Sequence, residues 1–177
     1  MTSFLCLYAT NAGAASIAAW DLTGLNSVAS ANATASDTHL TSIPALTRGA
    51  GAAASAGANS FRTVGFQNNG ISTANTDYFQ ATFAAASGYA LSLSSIDARF
   101  AGTASFFASP GVTSQFAYSL DGTTFTLIGS PVTSTSLTMA QVSLSGISAL
   151  QNVPASTTIY IRYYASGQTT TGGWGFN

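Results

Sequence analysis

Apolar and polar residues alternate with a period of two along much of this chain, and no window carries the 3.6-residue period of a helix. In residues 157–165, TTIYIRYYA, Ile159, Ile161 and Tyr163 oppose Tyr160, Arg162 and Tyr164. In residues 77–84, DYFQATFA, Phe79, Ala81 and Phe83 oppose Tyr78, Gln80 and Thr82. β-branched and aromatic side chains in this order suit a pleated, half-buried strand. Further strands are predicted over residues 16–23, 61–66, 89–94, 95–101, 104–109, 113–120, 124–128 and 139–144. The alanine-rich run 49–58, GAGAAASAGA, is broken by glycines and lacks a face of large side chains, so it reads as a loop.

Residues 2–10 predict a different kind of strand. Phe4, Cys6 and Tyr8 fall on one face and Leu5 and Leu7 on the other. Both faces are apolar, as in a strand buried on two sides. The same FLCLY run, followed by small residues at 12–15, resembles a signal peptide without its positive leader. Residues 1–15 are thus a strand or a signal-peptide remnant, and residues 16–177 form one domain.

About ten short strands between Gly, Ser, Asn and Pro turns predict an all-β fold, an antiparallel β-sandwich of jelly-roll type. A right-handed β-helix would need a short repeat, and none is present. In YSLDGTTFTLIG, residues 118–129, the dipeptide Asp121-Gly122 marks a hairpin between two strands. The Asp121 carboxylate is therefore assigned to the turn.

Charge narrows the functions. Charged residues make up 5% of the chain, against roughly 25% in ordinary soluble domains. There is no Lys and no Glu, while Ser and Thr number 25 and 24. Four scattered arginines cannot form the basic stripe that nucleic acid requires. No apolar run is long enough for a membrane-spanning helix. A net charge of −1 leaves little repulsion between copies, which favours association.

The chemistry-bearing residues are few. His39 is the only histidine, and no G-x-S-x-G accompanies it. The five Asp show no short-range pair of the kind glycoside chemistry uses. No catalytic residue is assigned, and the chain reads as a non-enzyme. Asn69, Asn75 and Asp77 are weak oxygen donors for a structural calcium, with an Asn-Gly turn as the plainer reading; no other cofactor is implied. Asn32 opens an N-glycosylation sequon, Asn32-Ala33-Thr34. Cys6 is the sole cysteine, which rules out an internal disulfide. Trp20 lies in an apolar strand and reads as core. Trp174, flanked by glycines in TGGWGFN, suits a close-packed strand or an exposed platform. Tyr160, Arg162 and Tyr164 share a strand face that is a satisfied sheet surface, a glycan-binding patch or a subunit contact.

Four segments resemble a known family: AAWDLTG at 18–24, NNGISTANTDYFQ at 68–80, YSLDGTTFTLIG, and YASGQTTTGGWGFN at 164–177. Together they are similar to secreted bacterial β-sandwich modules of large cell-surface proteins, of discoidin-like and carbohydrate-binding jelly-roll type. The resemblance implies an extracellular module and identifies no catalytic or binding residue. Such modules continue past the WGF segment into a further glycine-rich strand and carry a sorting signal; this sequence stops at Asn177 without either.

Two expectations follow. The first is a structural protein outside the cell that assembles with copies of itself into a filament or surface layer, with Phe4, Leu5, Cys6, Leu7 and Tyr8 completing a neighbour's sheet. The second is an adhesion module that binds extracellular polysaccharide through Trp174, Tyr160 and Tyr164.

Overall fold

The structure, a computed structural model, describes residues 5–9 by their backbone and residues 16–177 in full. In chain order the strands are β1 (Leu5–Ala9), β2 (Ser16–Trp20), β3 (Ala31–Asn32), β4 (Ala35–Ser36), β5 (Ala45–Arg48), β6 (Phe61–Thr63), β7 (Phe79–Phe83), β8 (Ala90–Leu91) and β9 (Leu93–Asp97). They continue as β10 (Phe100–Gly102), β11 (Val112–Ser119), β12 (Thr126–Leu127), β13 (Val132–Ser134), β14 (Val142–Ser143), β15 (Val153–Pro154), β16 (Ile159–Ser166) and β17 (Trp174–Phe176). One 3₁₀ turn, Ser148–Leu150, is the only helical piece among the described residues.

Every strand pair is antiparallel. The largest sheet runs β12-β11-β16-β7-β5-β3, with β13 beside β11 at the same edge. A second sheet runs β14-β9-β1-β2-β4. A third, β10-β17-β6, and the pair β15-β8 complete the set. These sheets pack around one hydrophobic core as a β-sandwich, and none closes into a barrel.

The long strands follow their alternation. Phe116 of β11 pairs with Tyr163 of β16, and Arg162 pairs with Gln80 of β7. Phe79, Ala81 and Phe83 are buried, as are Ile159, Ile161 and Tyr163. Around the Tyr163 ring stand Phe176, Phe116 and Phe100, with centroids 5.0, 5.2 and 5.3 Å away. Such aromatic pairs add stabilisation beyond the area they bury.

Elsewhere the pattern misled. Residues 104–109 form a turn, in which the Phe106 and Phe107 amides both donate to the Thr103 carbonyl. Phe106 is nevertheless fully buried, beside Trp174 at 6.0 Å. An apolar turn residue imitates a strand residue because burial, not backbone shape, governs its polarity. The predicted strand 95–101 is divided between β9 and β10. The strand count exceeds ten because pairs of two residues, such as β3 and β12, are too short to show alternation.

The hairpin after β11 is wider than its Asp-Gly pair suggests, since β12 begins only at Thr126. Asp121 nonetheless does what the sequence assigns it. Its Oδ1 accepts the Thr124 and Thr123 amides at 2.7 and 2.8 Å and the Ser119 hydroxyl at 2.8 Å. These bonds, led by the one from Thr124, hold the carboxyl well below the usual carboxylate range. Gly122 has a φ of 74° and lies over Tyr160, where a Cβ would stand 2.9 Å from the ring. Both facts favour glycine there.

Candidate functional site

Alternation along β16 turns Tyr160, Arg162 and Tyr164 away from the core and onto the outer face of the largest sheet. Arg162 is the centre of that face. Its guanidinium lies 3.7 Å over the Tyr78 ring and 3.5 Å over the Phe125 ring, a stacked cation–π arrangement. Nε donates to Gln80 Oε1 at 2.9 Å, Nη2 to the Tyr78 hydroxyl at 3.0 Å and Nη1 to the Tyr164 hydroxyl at 3.4 Å. A guanidinium has five N–H groups, so part of its donor capacity stays open. No carboxylate pairs with it among the described residues.

The neighbours of Arg162 correct the sequence reading in two places. Tyr164 is fully buried. The loop before β7 covers it, with Thr73 O accepting its hydroxyl at 3.4 Å and Tyr78 packing edge-on at 5.9 Å. Burial pushes its phenol up, with the Arg162 bond opposing. Trp174 is 1% exposed and is no platform. It sits in the middle strand of the β10-β17-β6 sheet, stacked on Phe100 at 5.0 Å. Gly102 makes room for it, since a Cβ there would stand 2.3 Å from the indole. Of the three aromatic candidates, Tyr160 alone keeps the partial exposure the sequence expected. The sequence reading passed over Tyr78 and Phe125. Tyr78 was on the correct face, but Phe125 reaches Arg162 only because the 120–125 loop folds back, which no strand pattern encodes.

Most of the other polar candidates serve the backbone. Asp21 Oδ1 accepts the Thr23 amide at 3.0 Å, and Asp37 Oδ1 accepts the His39 amide at 2.7 Å. Both are side-chain turns, and both carboxyls are held low, Asp21 by the Thr23 hydroxyl and then its amide, Asp37 by the His39 amide. His39 Nδ1 also meets Asp37 Oδ1 at 2.8 Å, and the ring packs at a tilt against Tyr89, 4.2 Å between centroids. Asp97 accepts Gln141 Nε2 at 3.0 Å. The buried Asp77 accepts the Gln67 amide at 3.3 Å, and burial raises its carboxyl above the ordinary value. Asn75 donates Nδ2 to Gly70 O at 3.1 Å, so it closes the same loop, while Asn69 is exposed. No group of three His, Cys, Asp or Glu side chains gathers among the described residues. Asn32 is exposed on β3, and the sequon's Thr34 hydroxyl donates to Ala19 O at 3.1 Å.

Arg48 shows how a lone charge is housed inside. Its guanidinium lies 3.7 Å over Phe61 and donates to the carbonyls of Val28, Ala52 and Arg62. Desolvation lowers its pKa to about 10.

Of the predicted assembly strand, Phe4 lies outside the described residues. The backbone of Leu5, Cys6, Leu7 and Tyr8 forms β1, an inner strand. Cys6 pairs with Ala19 of β2 on one side and Asp97 of β9 on the other. No protein-family model, curated protein or solved structure matches this chain.

Proposed function

We propose that this protein is an extracellular structural protein without enzymatic activity, which assembles with copies of itself by exchanging β1. One observation carries the reading. β1 fills a two-sided slot between β2 and β9, strands that do not pair with each other. A strand in that position can be supplied by the same chain or by a neighbour with identical backbone pairing, which is the physics of strand addition. The slot must be filled either way, because two open inner edges are an association hazard. The low charge supports the reading, since little repulsion opposes close packing of copies. The use of four of the five carboxylates in turns and loops, with Asp97 tied to Gln141, supports the absence of acid–base chemistry. The resemblance to secreted bacterial modules supports the extracellular placement.

The register supplies the test. Ala19→Cys places a second cysteine opposite Cys6. Oxidation of the variant is expected to give a ladder of covalent multimers on a non-reducing gel. Only internally crosslinked single chains would overturn strand exchange.

A second reading has its own observation, the open donors of Arg162 between Tyr78 and Phe125 beside Tyr160. This face would bind an extracellular polysaccharide, without Trp174 and Tyr164. Retardation in a polysaccharide-containing gel, lost in Arg162→Ala, tests it; equal migration of both proteins in every polysaccharide removes it.

A further inference from the structure

A groove opens where the largest sheet and the five-stranded sheet part company. It consists of two adjoining cavities of about 210 and 310 Å³ that share Ser114, Val132 and Met139. β11 and β13 form one wall, and the segment leading into β14 forms the other. Phe100 and Trp174 line the inner end of the first cavity, and Phe116 and Ile128 line the second. No charged residue lines either cavity, and none occurs from Gly122 to Ile161.

The floor carries one directed polar group. Trp174 Nε1 donates to the Tyr163 hydroxyl at 2.8 Å, and that hydroxyl lies 2.8 Å from Ser114 Oγ. An indole N–H can only donate, so it takes a Tyr163 lone pair. The Tyr163 proton then has one acceptor in reach, Ser114 Oγ. The reverse arrangement would leave a phenolic proton unbonded in the core, where Tyr163 is 1% exposed, and an unmade buried bond is costly. Ser114 therefore accepts from Tyr163, and its own proton has no partner among the described residues. Ser114 is 5% exposed and lines both cavities.

Three hydroxyls near the mouth already have partners. Ser134 Oγ accepts the Ser136 amide at 2.9 Å, Ser136 Oγ donates to Thr138 O at 2.9 Å, and Ser143 Oγ meets Ser145 Oγ at 3.2 Å. Largely apolar walls with a few placed polar groups are the recognition pattern of a small-molecule site.

We propose that this groove binds an uncharged, largely apolar small molecule, with a carbonyl oxygen that accepts the Ser114 hydroxyl proton. The Trp174–Tyr163–Ser114 chain sets the direction of that proton, and Val132 and Met139 enclose the apolar body.

The test uses prodan, an uncharged naphthyl ketone whose emission moves to the blue when it leaves water. It is titrated into the full chain at a concentration where sedimentation finds single copies. Saturable binding with blue-shifted emission is expected. Met139→Trp, which fills the groove, should abolish binding with the melting temperature kept. Ser114→Ala should weaken binding about three- to tenfold, the effect of one neutral hydrogen bond. The bound ketone's carbonyl stretch should lie lower in the wild type than in Ser114→Ala. Absence of saturable binding, undiminished binding in Met139→Trp, or an identical carbonyl stretch in the two proteins would each overturn the proposal. So would a Met139→Trp chain that stops self-associating although the wild type never binds the probe, because the groove would then be a contact between copies.

Discussion

The three-stranded and the five-stranded sheets bury their tryptophans by different means. Trp174 reaches the core from the small β10-β17-β6 sheet and stacks behind the largest one. It has Phe100, Phe106 and Phe107 within 6.0 Å and bonds a side chain, the Tyr163 hydroxyl. Trp20, in the five-stranded sheet, has Phe83 edge-on at 6.4 Å and donates to a backbone carbonyl, Ala31 O, at 2.9 Å. Both are essentially unexposed. The first is held by an aromatic network and the second by alanine-rich strands and one main-chain bond. Long strands with strict alternation build a self-sufficient face. Short strands of small residues, such as SIAAW in β2, depend on β1 to complete their pairing.

The largest expected effect breaks the aromatic side. Trp174→Ala should lose about 3–5 kcal/mol in urea unfolding, the usual cost of emptying a buried aromatic site. Trp20→Ala should fall at the low end of that range, because small neighbours leave more room to collapse. Equal losses would erase the distinction between the two sides. Trp174→Phe sharpens it. This variant keeps most of the packing but strips the donor from Tyr163, and the added cost of about 1 kcal/mol should vanish in a Tyr163→Phe background.

Arg48→Met comes next. It leaves the carbonyls of Val28 and Ala52 without the guanidinium, while the Arg62 carbonyl keeps the Ser55 amide, and a loss of about 1–3 kcal/mol is expected from such unpaired groups. An unchanged midpoint would mean that water replaces the guanidinium.

The smallest effect is a pH dependence. The folded-state carboxyl of Asp77 is raised, so the native state holds its proton more tightly than the unfolded chain. Its contribution is present below the ordinary carboxylate value and is lost as pH rises through the raised one. Asp121, Asp37 and Asp21 act in the opposite sense, losing their contribution as pH falls through their lowered values. Asp77→Asn should therefore be relatively more stable than the wild type at neutral pH than in acid. A constant difference between the two midpoints across that range would assign Asp77 no proton linkage.

Alternation and turn residues were enough to establish the all-β sandwich, the inner faces of β7 and β16, the buried Trp20 and the role of Asp121. Those properties depend on local order: a period of two sets which side chains face the core, and an Asp beside a Gly caps its own turn. The outer face of β16 was legible only in part. Tyr160 and Arg162 were in view, but the lid over Tyr164 and the return of Phe125 depend on loops whose paths follow no periodicity. Trp174 was readable either way, because glycines that leave a ring exposed also let strands close over it. The three-residue relay from Trp174 through Tyr163 to Ser114 joins β17, β16 and β11, and the slot for β1 joins β2 to β9. Such sites belong to strands far apart in the chain, and strand pairing brings them together only in the folded sandwich.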